Sequence, residues 1–264
     1  MEGGISIHLA PSALFHIGSF TVTNTFVTAF CVSALLILFA FLATRSLKLK
    51  PGKLQAVLEL LVTFPYEFVR TTLNNDKVAE RIFPVVMTIF LFVLGVTWFG
   101  LLPIVGSIGI PGHGDHGLVP FLYPGATDLN FTLMLAFVAF FTIEVLGIAT
   151  LGVAKYAGKF FSFKSPLAFA IGIIELVTEF ARLISFSFRL FGNIFAGKVL
   201  ILVAMFFAPL FLPIPILAFE LVVGLIQAAI FALLTLFFTR SAITLHEEHE
   251  EHASEGDGRH PKHA

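Results

Sequence analysis

Apolar residues along this chain fall in runs of about twenty, and short intervening stretches gather most of the charge. A helix rising 1.5 Å per residue needs about twenty residues to cross a hydrocarbon core of roughly 30 Å. The runs predict membrane-crossing helices at about 21–44, 82–104, 129–154, 166–207 and 214–240. Between the first two, residues 52–75 mix Gln55, Glu59, Glu67 and Arg70 with leucines and valines. That mixture suits an amphipathic helix lying in the interface better than a span. The first run is too long for a signal-peptide core and follows no basic segment, so it reads as a retained helix.

Two of the runs are longer than a crossing requires. Residues 166–207 have no proline after Pro166 and would extend about 63 Å if helical. Such a segment is either two pieces or one helix slanted steeply across the bilayer. Residues 213–240 would extend about 42 Å. A pair of over-long helices suggests a surface shaped to lie along another body. The expected fold is thus an all-α polytopic membrane protein. It has five transmembrane helices, one interfacial helix and a long, strongly tilted helical hairpin near the C-terminus.

Composition narrows the class further. The chain is 57% hydrophobic and 12% charged, against about 25% charged in ordinary soluble domains. A net charge of −1 leaves no basic footprint for nucleic acid. Lys and Arg alternate between sides of the predicted spans. None precedes Arg45, and the cluster from Arg45 to Arg81 follows the first span. None lies in 105–127, then Lys155, Lys159 and Lys164 cluster, none lies near 209–215, and Arg240 follows the last run. The positive-inside rule then gives an outer N-terminus, a cytoplasmic C-terminus and five crossings. Residues 1–244 read as a single membrane domain, and 245–264 as a polar, disordered cytoplasmic tail. In the tail His246, His249 and His252 alternate with glutamates, a spacing open to metal binding but more typical of a solvated, fraying helix end. Cys31 lies in an apolar run and reads as an inert buried thiol. There is no phosphate-binding glycine loop and no 20–50-residue repeat, and no cofactor is expected.

Against this apolar background Arg189 stands out, because a guanidinium cannot shed its proton. At mid-membrane it costs roughly 2.5–3.5 kcal/mol on insertion scales, which makes it a functional hypothesis by default. At 100° per residue, Glu175, Thr178, Glu179, Arg182, Ser185 and Asn193 fall between about −40° and +80° of Arg189. A polar stripe on an apolar helix marks a water-filled or proton-conducting face, or one that seats a partner's polar group. Ser185 or Thr178 alone would instead read as helix-to-helix glue. Lys198 points about 180° away from Arg189. On the last run Glu220 and Gln227 share a face, with Gly224 between them permitting close approach. In an antiparallel hairpin Lys198 and Glu220 are similarly distant from the turn and are expected to meet. Such a pair would be either a structural salt bridge or part of a proton path.

The string Ser185-Phe-Ser-Phe-Arg-Leu-Phe-Gly-Asn-Ile-Phe-Ala-Gly-Lys198 closely resembles the signature of subunit a of F-type ATP synthases of bacterial type. Pro51-Gly-Lys-Leu-Gln, Gly100-Leu-Leu-Pro103, Ala126-Thr-Asp-Leu-Asn-Phe-Thr-Leu133, Pro213-Ile-Pro and Ile226-Gln-Ala-Ala-Ile-Phe231 support it. The resemblance covers roughly 52–249. It implies a non-catalytic stator subunit in the cell inner membrane, packed against a rotating ring of c subunits and joined to peripheral-stalk b subunits. Arg189 matches the stator arginine, which drives deprotonation of ring carboxylates and blocks a short circuit between two offset half-channels. Glu175 and Thr178 fall where one half-channel is lined. Asn193, Gln227, Glu220 and Lys198 fall on the other, and Ser185 matches a small polar position one turn before the arginine. In one departure, Lys198 stands where members commonly have an acid or a histidine, and Glu220 where some have histidine. This resembles a partner exchange, and it favours Glu220 over Lys198 as proton carrier.

Two other classes compete. A self-contained transporter would show internal repeats and interrupted helices, and a passive anchor would leave Arg189 without a purpose.

Overall fold

The structure, a computed structural model, describes residues 12–18, 20–45, 47–48, 50, 52–111, 118–153, 156, 166–209 and 211–244. Lys155, Lys159, Lys164 and the His/Glu tail lie outside the described residues.

The chain enters through a hairpin of β1 (Ala13–Ile17) and β2 (Phe20–Thr23). Thr21 to Thr23 therefore belong to a strand, and the first long helix starts three residues later than its apolar run suggests. β-Branched residues favour the extended state, and Thr23 then caps α1 (Asn24–Thr44) by accepting from the Phe26 N–H at 3.3 Å. α2 (Lys53–Leu73) ends at Asn74, which takes φ +50 and donates its N–H to the Arg70 carbonyl. α3 (Asp76–Gly100) follows at once, capped by Asn75. Arg70 clasps Asp76 through two bonds of 2.7 and 3.2 Å, and this guanidinium holds the Asp76 carboxyl below its ordinary range.

α3 starts six residues before its expected span because Asp76, Lys77, Glu80 and Arg81 continue the helix past the apolar segment. It stops four residues early. Pro103 disfavours helix in the residue before it, and Pro124 crowds Gly100, where a Cβ would lie 3.1 Å from the proline Cβ. A loop carrying β3 (Gly109–Pro111) and β4 (Leu118–Pro120) leads to a 3-10 turn at Gly125–Thr127. Asp128 then caps α4 (Leu129–Leu151), accepting from the Asn130 N–H at 2.9 Å. α4 ends three residues before the expected 154, at Gly152, whose φ of +83 few other residues adopt.

α5 (Pro166–Phe207) is one unbroken helix of 42 residues, which decides between the two readings of that run. α6 (Pro213–Thr244) is also longer than a crossing needs, at 32 residues. α1, α3, α4, α5 and α6 are all long and apolar enough to cross a membrane. The molecule is an all-α polytopic membrane protein, with two short hairpins on its loops. α2 shows Leu54, Val57, Leu60 and Phe64 exposed on one face, as an interfacial helix would.

The core forms where α3, α4, α5 and α6 converge. Ala136 and Ala139 of α4 and Ala228 of α6 are fully buried, and small side chains let helix backbones approach closely. Phe186 of α5 fills the space against Phe231 of α6, ring centroids 4.8 Å apart. A second cluster joins Val69 of α2 and Ile82 of α3 to Leu236 of α6. Gly224 serves α3, because a Cβ there would lie 2.6 Å from Thr97 Cγ2. The expected role of Gly224 in a close approach is therefore real, with α3 as the partner. Trp98 of α3 donates to the Leu221 carbonyl beside it at 3.0 Å.

Candidate functional site

α5 and α6 run antiparallel, in a register fixed by Phe186 against Phe231 and Gly197 against Glu220. Near the middle of α5 they leave an open groove of about 230 Å³. Thr178, Arg182, Ser185 and Arg189 line one wall, and Leu234 and Phe238 line the other. Four members of the predicted stripe thus share one concave surface. Arg189 is half-buried there, and its Nη2 donates to Ser185 Oγ at 3.3 Å, one turn back on the same helix. Among the described residues no carboxylate lies in ion-pair reach of Arg189.

Arg182 behaves differently. Its Nη1 donates to Glu179 Oε2 at 2.6 Å, with the two side chains only 11% and 4% exposed. The guanidinium also lies 3.7 Å from the centroid of the Phe238 ring. A flat cation on an aromatic face gains electrostatically without being consumed as a donor. The groove therefore holds two arginines, one neutralised within the chain and one with no carboxylate partner among the described residues. Thr178 donates its hydroxyl to the Ile174 carbonyl at 2.9 Å, so its proton stays on the helix backbone. Glu175 lies one turn further toward the start of α5 and is half-buried.

The other group of candidates lies toward the α5–α6 turn. By the same register Asn193 and Gln227 fall within one turn of each other along the hairpin, and Asn193 Nδ2 and Gln227 Nε2 are both buried without a protein hydrogen-bond partner. Buried polar atoms are nearly always satisfied, by protein or by water. Beyond them Glu220 is buried, its carboxyl folded onto Gly197 in the space a Cβ would take. The expected Lys198–Glu220 ion pair is not formed. The two residues do share a level, but the Lys198 Nζ sits 3.1 Å from the centroid of the Tyr123 ring. An aromatic face from the α3–α4 loop has replaced the carboxylate as its neighbour.

Several polar groups escaped the sequence reading. Ser187 is fully buried and shares a 3.1 Å hydrogen bond with Thr132, tying α5 to α4 on the side away from the groove. Glu144 of α4 accepts from the Tyr156 hydroxyl at 2.7 Å, while the tyrosine ring lies on Gly147. Burial first, and the Glu144 carboxylate next, push the Tyr156 phenol above its ordinary range. Glu144 could have been found by the logic applied to Arg189, as an isolated charge in an apolar run. Nothing in the sequence marks Tyr123.

A polytopic helical protein with a fixed cation, unmatched among the described residues, in a groove between two over-long helices has the features of the ion-translocating membrane class. Residues 26–240 match the family described as ATP synthase A chain, and the chain belongs to that family. It is 30% identical to ATP synthase subunit a of Moorella thermoacetica, over 90% of this chain and 99% of that protein. Against ATP synthase subunit a 2 of Pelobacter propionicus it is 33% identical, over 88% of this chain and 91% of the relative. Against ATP synthase subunit a of Mycobacterium ulcerans the figures are 32%, 92% and 94%. The protein is accordingly a membrane-sector, proton-translocating component of an ATP synthase, working among other subunits and not itself the catalytic one.

Proposed function

We propose that this chain is the stator half of a rotary proton motor, with Arg189 facing carboxyl groups on a ring of c subunits. The observation that carries this reading is the open groove in which Arg189 has a serine for a neighbour while Arg182 already has its glutamate. A half-buried cation needs an anion, and the groove opens outward for one. A ring carboxyl is protonated and neutral while it faces lipid. Beside Arg189 it favours its ionised form, since an opposite charge within about 4–6 Å lowers a carboxyl pKa by roughly 1–3 units.

The proton released at Arg189 leaves past Thr178 and Glu175 toward the cytoplasm. A fresh proton reaches the ring from outside by way of Glu220, Gln227 and Asn193. The two unpartnered amides support a watered path there, because each needs a hydrogen-bonding neighbour. Arg189 separates the two half-channels, as a fixed positive charge repels hydrated protons. A membrane potential contributes about 2.3 kcal/mol per charge per 100 mV. The length of α5, about 63 Å, supports a helix slanted along the ring rather than straight through the bilayer. Peripheral-stalk b subunits would hold the chain still in the cell inner membrane, with the N-terminus outside.

Arg189→Ala is expected to abolish proton-driven ATP synthesis by the complete complex in vesicles. Arg189→Lys should also lose most of it, because an ammonium can be deprotonated and lacks the planar fork. Normal synthesis with Arg189→Ala would overturn the reading.

A further inference from the structure

We propose that Tyr123 is a positioning residue of the outer half-channel, whose ring holds the Lys198 ammonium away from Glu220 and so leaves that carboxyl free to take up protons. The inference rests on the half-channel reading above.

Tyr123 sits on a loop that is pinned on several sides. Its N–H donates to Thr28 Oγ at 3.1 Å, and Thr28 is fully buried on α1, its own hydroxyl bonded to the Asn24 carbonyl at 3.0 Å. On one side of it, the Leu122 carbonyl accepts from the Gly106 N–H at 3.0 Å. On the other, Pro124 packs on Gly100. The ring is thereby fixed relative to α1 and α3 and projects onto α5, where Lys198 Nζ lies 3.1 Å from its centroid. Burial holds the Tyr123 phenol above its ordinary range, so the ring stays neutral and its face remains a cation acceptor.

The alternative seat for the ammonium is close at hand. The Glu220 carboxyl lies on Gly197, the residue next to Lys198, and a lysine has a flexible four-carbon stem. An ammonium at Glu220 would favour the carboxylate and oppose proton uptake. Among the described residues, the other groups around this end of α6 do not supply that cation. α3 presents Thr97 and Trp98, neither of which titrates in the working range. α4 presents Asp128 at its outer end, held by Thr25 Oγ at 3.3 Å and by the Asn130 N–H. Glu144 of α4 is tied to Tyr156, and Arg70 of α2 to Asp76. Arg189 lies more than two turns further along α5. Among the described residues, Lys198 is the cation whose placement decides the state of Glu220.

The test is proton-driven ATP synthesis by the complete complex in vesicles, measured against the pH of the outer-facing compartment under a constant potassium diffusion potential. Tyr123→Leu should move the half-maximal pH toward acid by roughly one unit, since the freed cation must be overcome to protonate Glu220. Tyr123→Phe, which keeps the ring face, should retain the wild-type profile. Adding Lys198→Met to Tyr123→Leu should return the half-point to the wild-type value. Should Tyr123→Leu fail to assemble, Thr28→Val keeps the ring and removes the acceptor that seats the loop, together with the hydroxyl's bond to the Asn24 carbonyl, and should shift the half-point the same way by less. An unmoved profile in these variants, or a shift that Lys198→Met does not reverse, would overturn the proposal. Loss of the stator reading shows up separately, as ATP synthesis that survives Arg189→Ala.

Discussion

Glu179 offers the sharpest test of how this groove is balanced. Its carboxylate sits 2.6 Å from Arg182 with both side chains buried. Charge centres about 4 Å apart at an effective dielectric of about 20 attract by about 4 kcal/mol. Breaking such a pair by removing one partner costs roughly 3–5 kcal/mol, because the other charge stays buried and unmatched. Arg182 lies on the Phe238 face in both forms, so that contact cancels in the difference. Glu179→Gln preserves shape and should therefore destabilise the subunit by about 3 kcal/mol. The measurement is reversible unfolding of the purified subunit in mixed micelles at neutral pH, followed by tryptophan fluorescence from Trp98. Replacing both partners, as Glu179→Gln with Arg182→Met, should recover most of the loss, since no buried charge is then left over. A single-variant cost under about 1 kcal/mol, or a double variant no better than the single, would refute the argument from burial. The same change has a functional consequence. Arg182 and Arg189 are seven residues apart, about 10.5 Å along the helix, so Glu179→Gln leaves two unmatched cations in one groove. ATP synthesis should fall even at temperatures where the variant remains folded.

Two further changes probe the scaffold. Thr132→Val should cost about 1 kcal/mol by leaving the buried Ser187 hydroxyl without its partner, while Ser187→Ala should cost less, because the Thr132 hydroxyl keeps its bond to the Leu129 carbonyl at 3.0 Å, and the double variant should recover part of the Thr132→Val loss in the same unfolding assay. Gly224→Ala drives a Cβ into Thr97 and should cost roughly 1–3 kcal/mol, with Thr97→Ser, which deletes the clashing methyl, recovering part of it.

Much of the molecule is local and so was legible along the chain. An apolar run of sufficient length must cross as a helix, because the bilayer offers no water to a bare backbone. That constraint predicts five crossings, and the helices form where it demands, with ends moved by a few residues at Thr23, Asn75 and Gly152 through capping and backbone chemistry. Helical periodicity likewise put Thr178, Arg182, Ser185 and Arg189 on one face, and they do line one groove. The family string Arg189-Leu-Phe-Gly-Asn193 added a function that periodicity cannot supply.

What the sequence could not determine is which neighbour each polar group meets once helices pack. Levels along the hairpin could be counted, so Lys198 and Glu220 were matched correctly in height. Their pairing failed because a tyrosine 75 residues away is fixed by α1 over the ammonium, while the carboxyl folds onto Gly197. In the same way Gly224 packs on α3, and Ser187 finds Thr132 across the core. Length, hydropathy and period act through bonds along one chain. Partner choice among buried charges depends on distances of a few ångströms between distant segments, and only the tertiary structure sets those.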